Sequence, residues 1–283
     1  MRRALPLLLI LLIALTGCSA APRHHPPHPS AAPAGPPALT LAYPVTDPDP
    51  AQNVGDLYLP PARTGPRPLI VFFHGGGWHD RIGYHATASL AQHIAAKGFA
   101  VYNVEYRRTG SGGGWPTTLT DALAAARYGE TLHQRFPQIS PVTYLAGHSA
   151  GGQLAVWVSG HLPDPPAGVV SISGPLAMAY AAGRGDRSVL GFLGGTPAQV
   201  PARYRYTDPA EQCPTVPIVA IQGTRDRVVP PAVLRAYRAA TARCPGHRLR
   251  VVEVPGATHL SLLKPHDTGY PKMLDTLITS VRT

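Results

Sequence analysis

The sequence predicts an α/β fold, with a mostly parallel eight-stranded sheet flanked by helices on both faces. Three observations predict it. Eight short runs rich in β-branched, aromatic and aliphatic residues alternate with helical stretches, the order expected when crossover helices join parallel strands. Leu69-Ile70-Val71-Phe72-Phe73 and Pro217-Ile218-Val219-Ala220-Ile221 are continuous apolar runs, as strands covered on both faces require. The 283 residues are 44% apolar and only 14% charged, which is enough to fill one sizeable core.

In chain order, the first element is a leader. Arg2 and Arg3 precede an apolar run from Leu5 to Leu15, too short to span a bilayer and of the right length for a signal peptide over residues 1–17. The run ends Leu15-Thr16-Gly17-Cys18, which resembles a bacterial lipobox, so Cys18 is the expected lipidation site. The expected location is the cell envelope, anchored by lipid to the outer face of a bacterial membrane. Cleavage near Ser19-Ala20-Ala21, giving a secreted protein, is the alternative.

Residues 18–38 form a Pro/Ala/His-rich tether whose composition cannot build a core, and residues 39–283 make up the expected catalytic domain. His24, His25 and His28 lie in that tether and are read as solvated, so no metal site is assigned. Strands are expected near 39–43, 54–59, 69–74, 99–106, 142–147, 169–173, 216–222 and 248–254, the first two as an antiparallel edge hairpin. Helices are expected near 84–97, 117–136, 150–161, 230–243 and 271–281. The 39 residues from Gly174 to Gln212, between the sixth and seventh strands, leave room for a small cap.

The formal charge of +10 does not mark a nucleic-acid binder, because Lys and Arg are scattered with no basic run carrying interleaved aromatics. Apart from Cys18, two cysteines remain, Cys213 and Cys244. In an exported chain such a pair invites a disulfide, although sequence cannot measure the distance between them.

The chemistry gathers in four segments. Gly147-His148-Ser149-Ala150-Gly151 matches G-x-S-x-G on a strand-to-helix turn, the context in which a strained serine projects its hydroxyl as a nucleophile. His74-Gly75-Gly76-Gly77-Trp78 follows the third strand, where glycines let backbone N–H groups face a developing oxyanion. A hydroxyl needs a base and the base needs an orienting acid. Asp226, just beyond the seventh strand, and His259, just past the eighth, follow in the order Ser, Asp, His; a capping aspartate is the alternative for Asp226, and His247 and His266 are the rivals of His259.

These segments resemble the α/β hydrolases of the hormone-sensitive-lipase and kynurenine-formamidase-like (BD-FAE-like) esterase group, over roughly residues 40 to 280. Tyr106-Arg107, Trp115-Pro116 and Asp121 resemble structural residues of that group, while the glycine run Gly110 to Gly114 departs from its pattern near the pocket mouth. The resemblance implies oxyanion donors at the N–H groups of Gly76, Gly77 and Ala150. The reading is a serine esterase that needs no metal or cofactor, and small or short-chain acyl substrates are expected because nothing in the sequence forms an obvious long apolar lid helix. Trp78 and Trp115 are candidates for lining the substrate pocket, with plain packing as the alternative. An amidase or peptidase on the same residues is the nearest rival, and a non-catalytic surface binder a more distant one. The expected partners are a small-molecule ester and the membrane; the oligomeric state is left open.

Overall fold

The computed structural model describes residues 37–61, 65–246 and 248–282. The leader over 1–17, Cys18, most of the tether and His247 lie outside the described residues.

Eight strands form one sheet: β1 (Leu39–Ala42), β2 (Val54–Tyr58), β3 (Arg67–Phe73), β4 (Ala100–Val104), β5 (Ile139–His148), β6 (Val169–Ile172), β7 (Ile218–Gly223) and β8 (Leu249–Val254). Their spatial order is β1-β2-β4-β3-β5-β6-β7-β8. β1 and β2 pair antiparallel, β2 joins β4 antiparallel, and every later pairing is parallel. The edge hairpin and the parallel body expected from the sequence are both present.

The two-sided burial has a direct sequence cause. Along β3, Leu69, Val71 and Phe73 enter one apolar cluster while Ile70 and Phe72 enter the other, as a period of two requires. The first cluster is closed by α2 (Thr117–Thr131), α3 (Ala150–Ser159) and α7 (Pro231–Thr241), through residues such as Ala122, Leu154 and Tyr237. The second is closed by α1 (Ala88–Ala96) and α8 (Gly269–Ser280), through Ile94, Met273 and Leu277.

Two boundaries differ from expectation for visible reasons. α1 begins at Ala88 rather than at residue 84, because Tyr84–Thr87 forms a tighter 3-10 turn. β4 ends at Val104, and the side chains of Glu105 and Tyr106 that follow support the loop after β3.

Between β6 and β7 the chain forms a cap of three short helices, α4 (Met178–Gly183), α5 (Arg187–Leu193) and α6 (Pro201–Thr207). Asp208 ties the cap down: its carboxylate accepts from the N–H of Ala179 at 2.7 Å and of Ala210 at 3.0 Å. Burial raises its pKa against the pull of those amides. Beyond the cap, Cys213 and Cys244 are joined by a disulfide that brackets β7 and α7.

Candidate active site

Ser149 sits between β5 and α3 with φ 55° and ψ −123°. A non-glycine residue there is strained and persists only where its surroundings hold it. They do so through close backbone contact: a Cβ at Gly151 would strike the carbonyl oxygens of Phe73 and His74, and one at Gly147 would strike that of Gly151. The Ser149 N–H donates to the Ile172 carbonyl at 2.8 Å, which pins the turn to the end of β6. The N-terminus of α3 adds a positive partial charge beside the hydroxyl.

Asp226 and His259 come from the loops after β7 and β8 and meet with 2.7 Å between Asp226 Oδ2 and His259 Nδ1. The other carboxylate oxygen accepts from the N–H groups of Val228 and Val229, both at 2.9 Å. Burial opposes the charge of Asp226, but the hydrogen bond and charge of His259, with the backbone amides, hold its carboxyl below the usual range. The imidazole is held through Nδ1, with Nε2 left for another partner. Ser149 and His259 line one cavity of about 820 Å³.

Gly75, Gly76, Gly77 and Ala150 line the same cavity. Gly76 has φ 116° and Gly77 φ 63°, conformations that suit glycine. The N–H groups of Gly76, Gly77 and Ala150 donate to no backbone acceptor among the described residues. Neighbouring side chains clamp this loop. His74 Nε2 lies 2.8 Å from Glu105 Oε1, its ring stacks on Tyr106 at 4.4 Å, and the Tyr106 hydroxyl donates to the His74 carbonyl at 2.8 Å. Burial opposes the charge of Glu105, but His74, the Tyr106 amide and Arg108 together hold that carboxyl low.

The two tryptophans separate. Trp78 lines the cavity while also packing, its ring stacked on Phe192 at 4.7 Å and its indole N–H donating to Gln153 Oε1 at 3.2 Å. Trp115 does not line it and takes the packing alternative: it packs against the apolar core, with the Arg203 guanidinium 4.7 Å above its ring. Nor does the Gly110 to Gly114 run reach the cavity; a Cβ at Gly113 would strike the Arg107 carbonyl. Arg107 instead grips Asp121 through Nε at 2.8 Å and an Nη at 2.7 Å, the structural use expected of both. His266 is not among the residues lining the cavity.

Two residues at the site escaped sequence reasoning. His148 Nε2 lies 3.1 Å from the His259 carbonyl, and its ring is 4.5 Å from that of His259. Its place inside the serine motif was the available signal. Gln153, one turn into α3 and fully buried, joins Trp78 to the Thr207 carbonyl, which its amide reaches at 3.0 Å. A polar residue on the apolar stretch of α3 was the available signal there.

Comparison with known proteins agrees with this architecture. The family model described as BD-FAE matches residues 55–162. A probable isoprenylcysteine alpha-carbonyl methylesterase of Arabidopsis thaliana is 26% identical over 82% of this chain and 54% of its own length. A kynurenine formamidase of Danio rerio is 33% identical over 36% of this chain and 33% of its own. The chain thus spans about half or less of the length of these curated relatives. Among solved structures, a propionate-bound esterase of Thermogutta terrifontis superposes with a TM-score of 0.69 at 21% identity, covering 87% of this chain and 94% of that one. The chain has the α/β-hydrolase fold, with a BD-FAE-like segment that carries both the glycine loop and the serine turn.

Proposed function

We propose that this α/β-hydrolase-fold protein is a carboxylic-ester hydrolase working through an acyl-enzyme, with Ser149 as nucleophile, His259 as proton shuttle and Asp226 as its orienting acid. The observation that carries the reading is the buried Asp226–His259 pair at 2.7 Å, opening on the cavity that Ser149 also lines. The esterase names of the relatives support the same reaction class.

In this reading, Ser149 Oγ attacks the acyl carbon while His259 Nε2 takes its proton, and the carbonyl oxygen gains charge against the N–H groups of Gly76, Gly77 and Ala150. His259 returns the proton to the departing alkoxide, which leaves as the alcohol. Water then attacks the acyl-serine by the same route and releases the acid. Asp226 stabilises the imidazolium formed in each half and remains ionised. Small acyl groups are favoured on the side where Trp78 and the residues of short helix α4, Tyr180 and Ala181, line the cavity. Lipid anchoring through Cys18 to the outer face of a bacterial membrane is part of the proposal.

The test is hydrolysis of p-nitrophenyl esters from acetyl to palmitoyl, beside the Ser149→Ala variant. Short-chain activity that vanishes in the variant supports the reading. Cleavage of matched amides in preference to esters would move the protein to the formamidase reaction named for its Danio relative.

A further inference from the structure

The cavity does not end at the catalytic pair. It continues past His259 into a second depression that shares Arg227, Val228, His259, Leu260 and Lys264 with it and adds Arg225. Three cations thus converge there from the loops after β7 and β8, and none of them has an ion-pair partner among the described residues. The single acid lining the depression, Asp226, is already engaged by His259. Val228 and Leu260 are 63% and 53% exposed, two of the most exposed large apolar side chains, and they line both depressions together with Arg227 and Lys264.

Direction follows from the chemistry. His259 must hand its proton to the leaving oxygen, so the alcohol half of an ester lies on the His259 side, and the acyl half on the side of Trp78 and the cap. We infer that the preferred ester carries an anionic group, a carboxylate or a phosphate, at the far end of its alcohol half, joined by an apolar arm that crosses Val228 and Leu260 to reach Arg225, Arg227 and Lys264. The other cations lining the main cavity, Arg81 and Arg184, share it with Asp186, and Arg184 is held over the Tyr180 ring at 5.0 Å, whereas the second depression gathers three cations around an acid already engaged by His259. This inference rests on the ester-hydrolase reading of the same site.

The test compares kcat/KM for ω-acetoxyhexanoate, ω-acetoxypentyl phosphate and the neutral ω-acetoxyhexanamide, using the full chain. One or both anions should exceed the amide by roughly tenfold at low salt, the preferred anion naming the group recognised, and about 0.5 M NaCl should erase the preference. Arg225→Gln/Arg227→Gln/Lys264→Gln should bring the ratio close to one. Lys264→Gln alone should lower it without touching either chain neighbour of Asp226. Equal rates for all three esters, or a preference that appears only when the carboxylate is moved to the acyl half as in monomethyl adipate, would overturn the inference and leave the esterase reading standing. If no ester is cleaved, calorimetric binding of the same compounds to Ser149→Ala decides. Tighter binding of an anion keeps the cationic subsite while the esterase reading fails, and equal binding removes both.

Discussion

His148 Nε2 lies 3.1 Å from the main-chain carbonyl of His259, and the two rings sit 4.5 Å apart at 49°. A carbonyl only accepts, so His148 donates from Nε2, and the loop carrying His259 is tied to the serine turn by a neutral imidazole. Burial, reinforced by the charge of His259, pushes the pKa of His148 down from 6.5 to about 3.

That shift makes stability depend on pH. Unfolded, His148 takes up a proton below about pH 6.5; folded, it does not until about pH 3. The unfolded state therefore binds more protons in this window, and stability falls as pH drops, by up to about 1.4 kcal/mol per pH unit from this residue. The carboxyls of Asp226 and Glu105 are held low, so their stabilisation is lost only further down, below the ordinary carboxylate range. Melting temperatures measured between about pH 7 and pH 5 should fall more steeply for the native protein than for His148→Gln. Parallel slopes would show that His148 is protonated in the folded state.

Ser149 occupies φ 55°, ψ −123°, a region open to glycine and costly for anything with a Cβ. Ser149→Gly should abolish turnover and raise stability by about 1 kcal/mol in chemical denaturation, while Ser149→Ala abolishes turnover with no such gain. A glycine variant no more stable than the alanine one would mean that the turn stores no strain.

Asp226→Asn keeps the shape of the pair but offers His259 Nδ1 an amide in place of a carboxylate. It should lower kcat by about three to four orders of magnitude, with KM changed far less, as in serine-protease precedent. A loss under tenfold in steady-state kinetics would assign the orienting acid elsewhere.

The disulfide joins residues 31 apart in sequence. By loop-closure entropy, removing it with Cys213→Ser/Cys244→Ser should cost about 3–4 kcal/mol, read in urea denaturation. The cavity lies beyond the other end of the bracketed strand, so kcat should hold at temperatures where the variant stays folded.

How far the sequence could be read depended on the range of each signal. The continuous apolar runs of β3 and β7 and the strand-to-helix serine motif are local, and both emerge within a few residues of where the pattern put them. The cap was visible only as a length of chain, because helices of six or seven residues carry too few turns for a periodic pattern. Trp115 stayed open between pocket and packing for another reason: its contact with Arg203 spans 88 positions, which no motif connects. His148 and Gln153 were in plain view as residue types, but their partners lie across the fold.

Gln153 gives the sharpest case of such a hidden link. It is fully buried in α3, accepts from the Trp78 indole at 3.2 Å and donates to the Thr207 carbonyl at 3.0 Å, so one amide joins the glycine loop to the last helix of the cap. Gln153→Leu matches its bulk but strands a buried N–H and a buried carbonyl, each costing about 1–3 kcal/mol. Stability should therefore fall by about 2–6 kcal/mol. Trp78 lines the cavity and, in the proposed reading, faces the acyl half of the ester, so the kinetic effect should appear mainly in KM, raised about tenfold, with kcat within a few-fold of the native value. A variant that loses kcat instead, with KM intact, would mean that Gln153 acts on the placement of Ser149 rather than on the wall of the pocket.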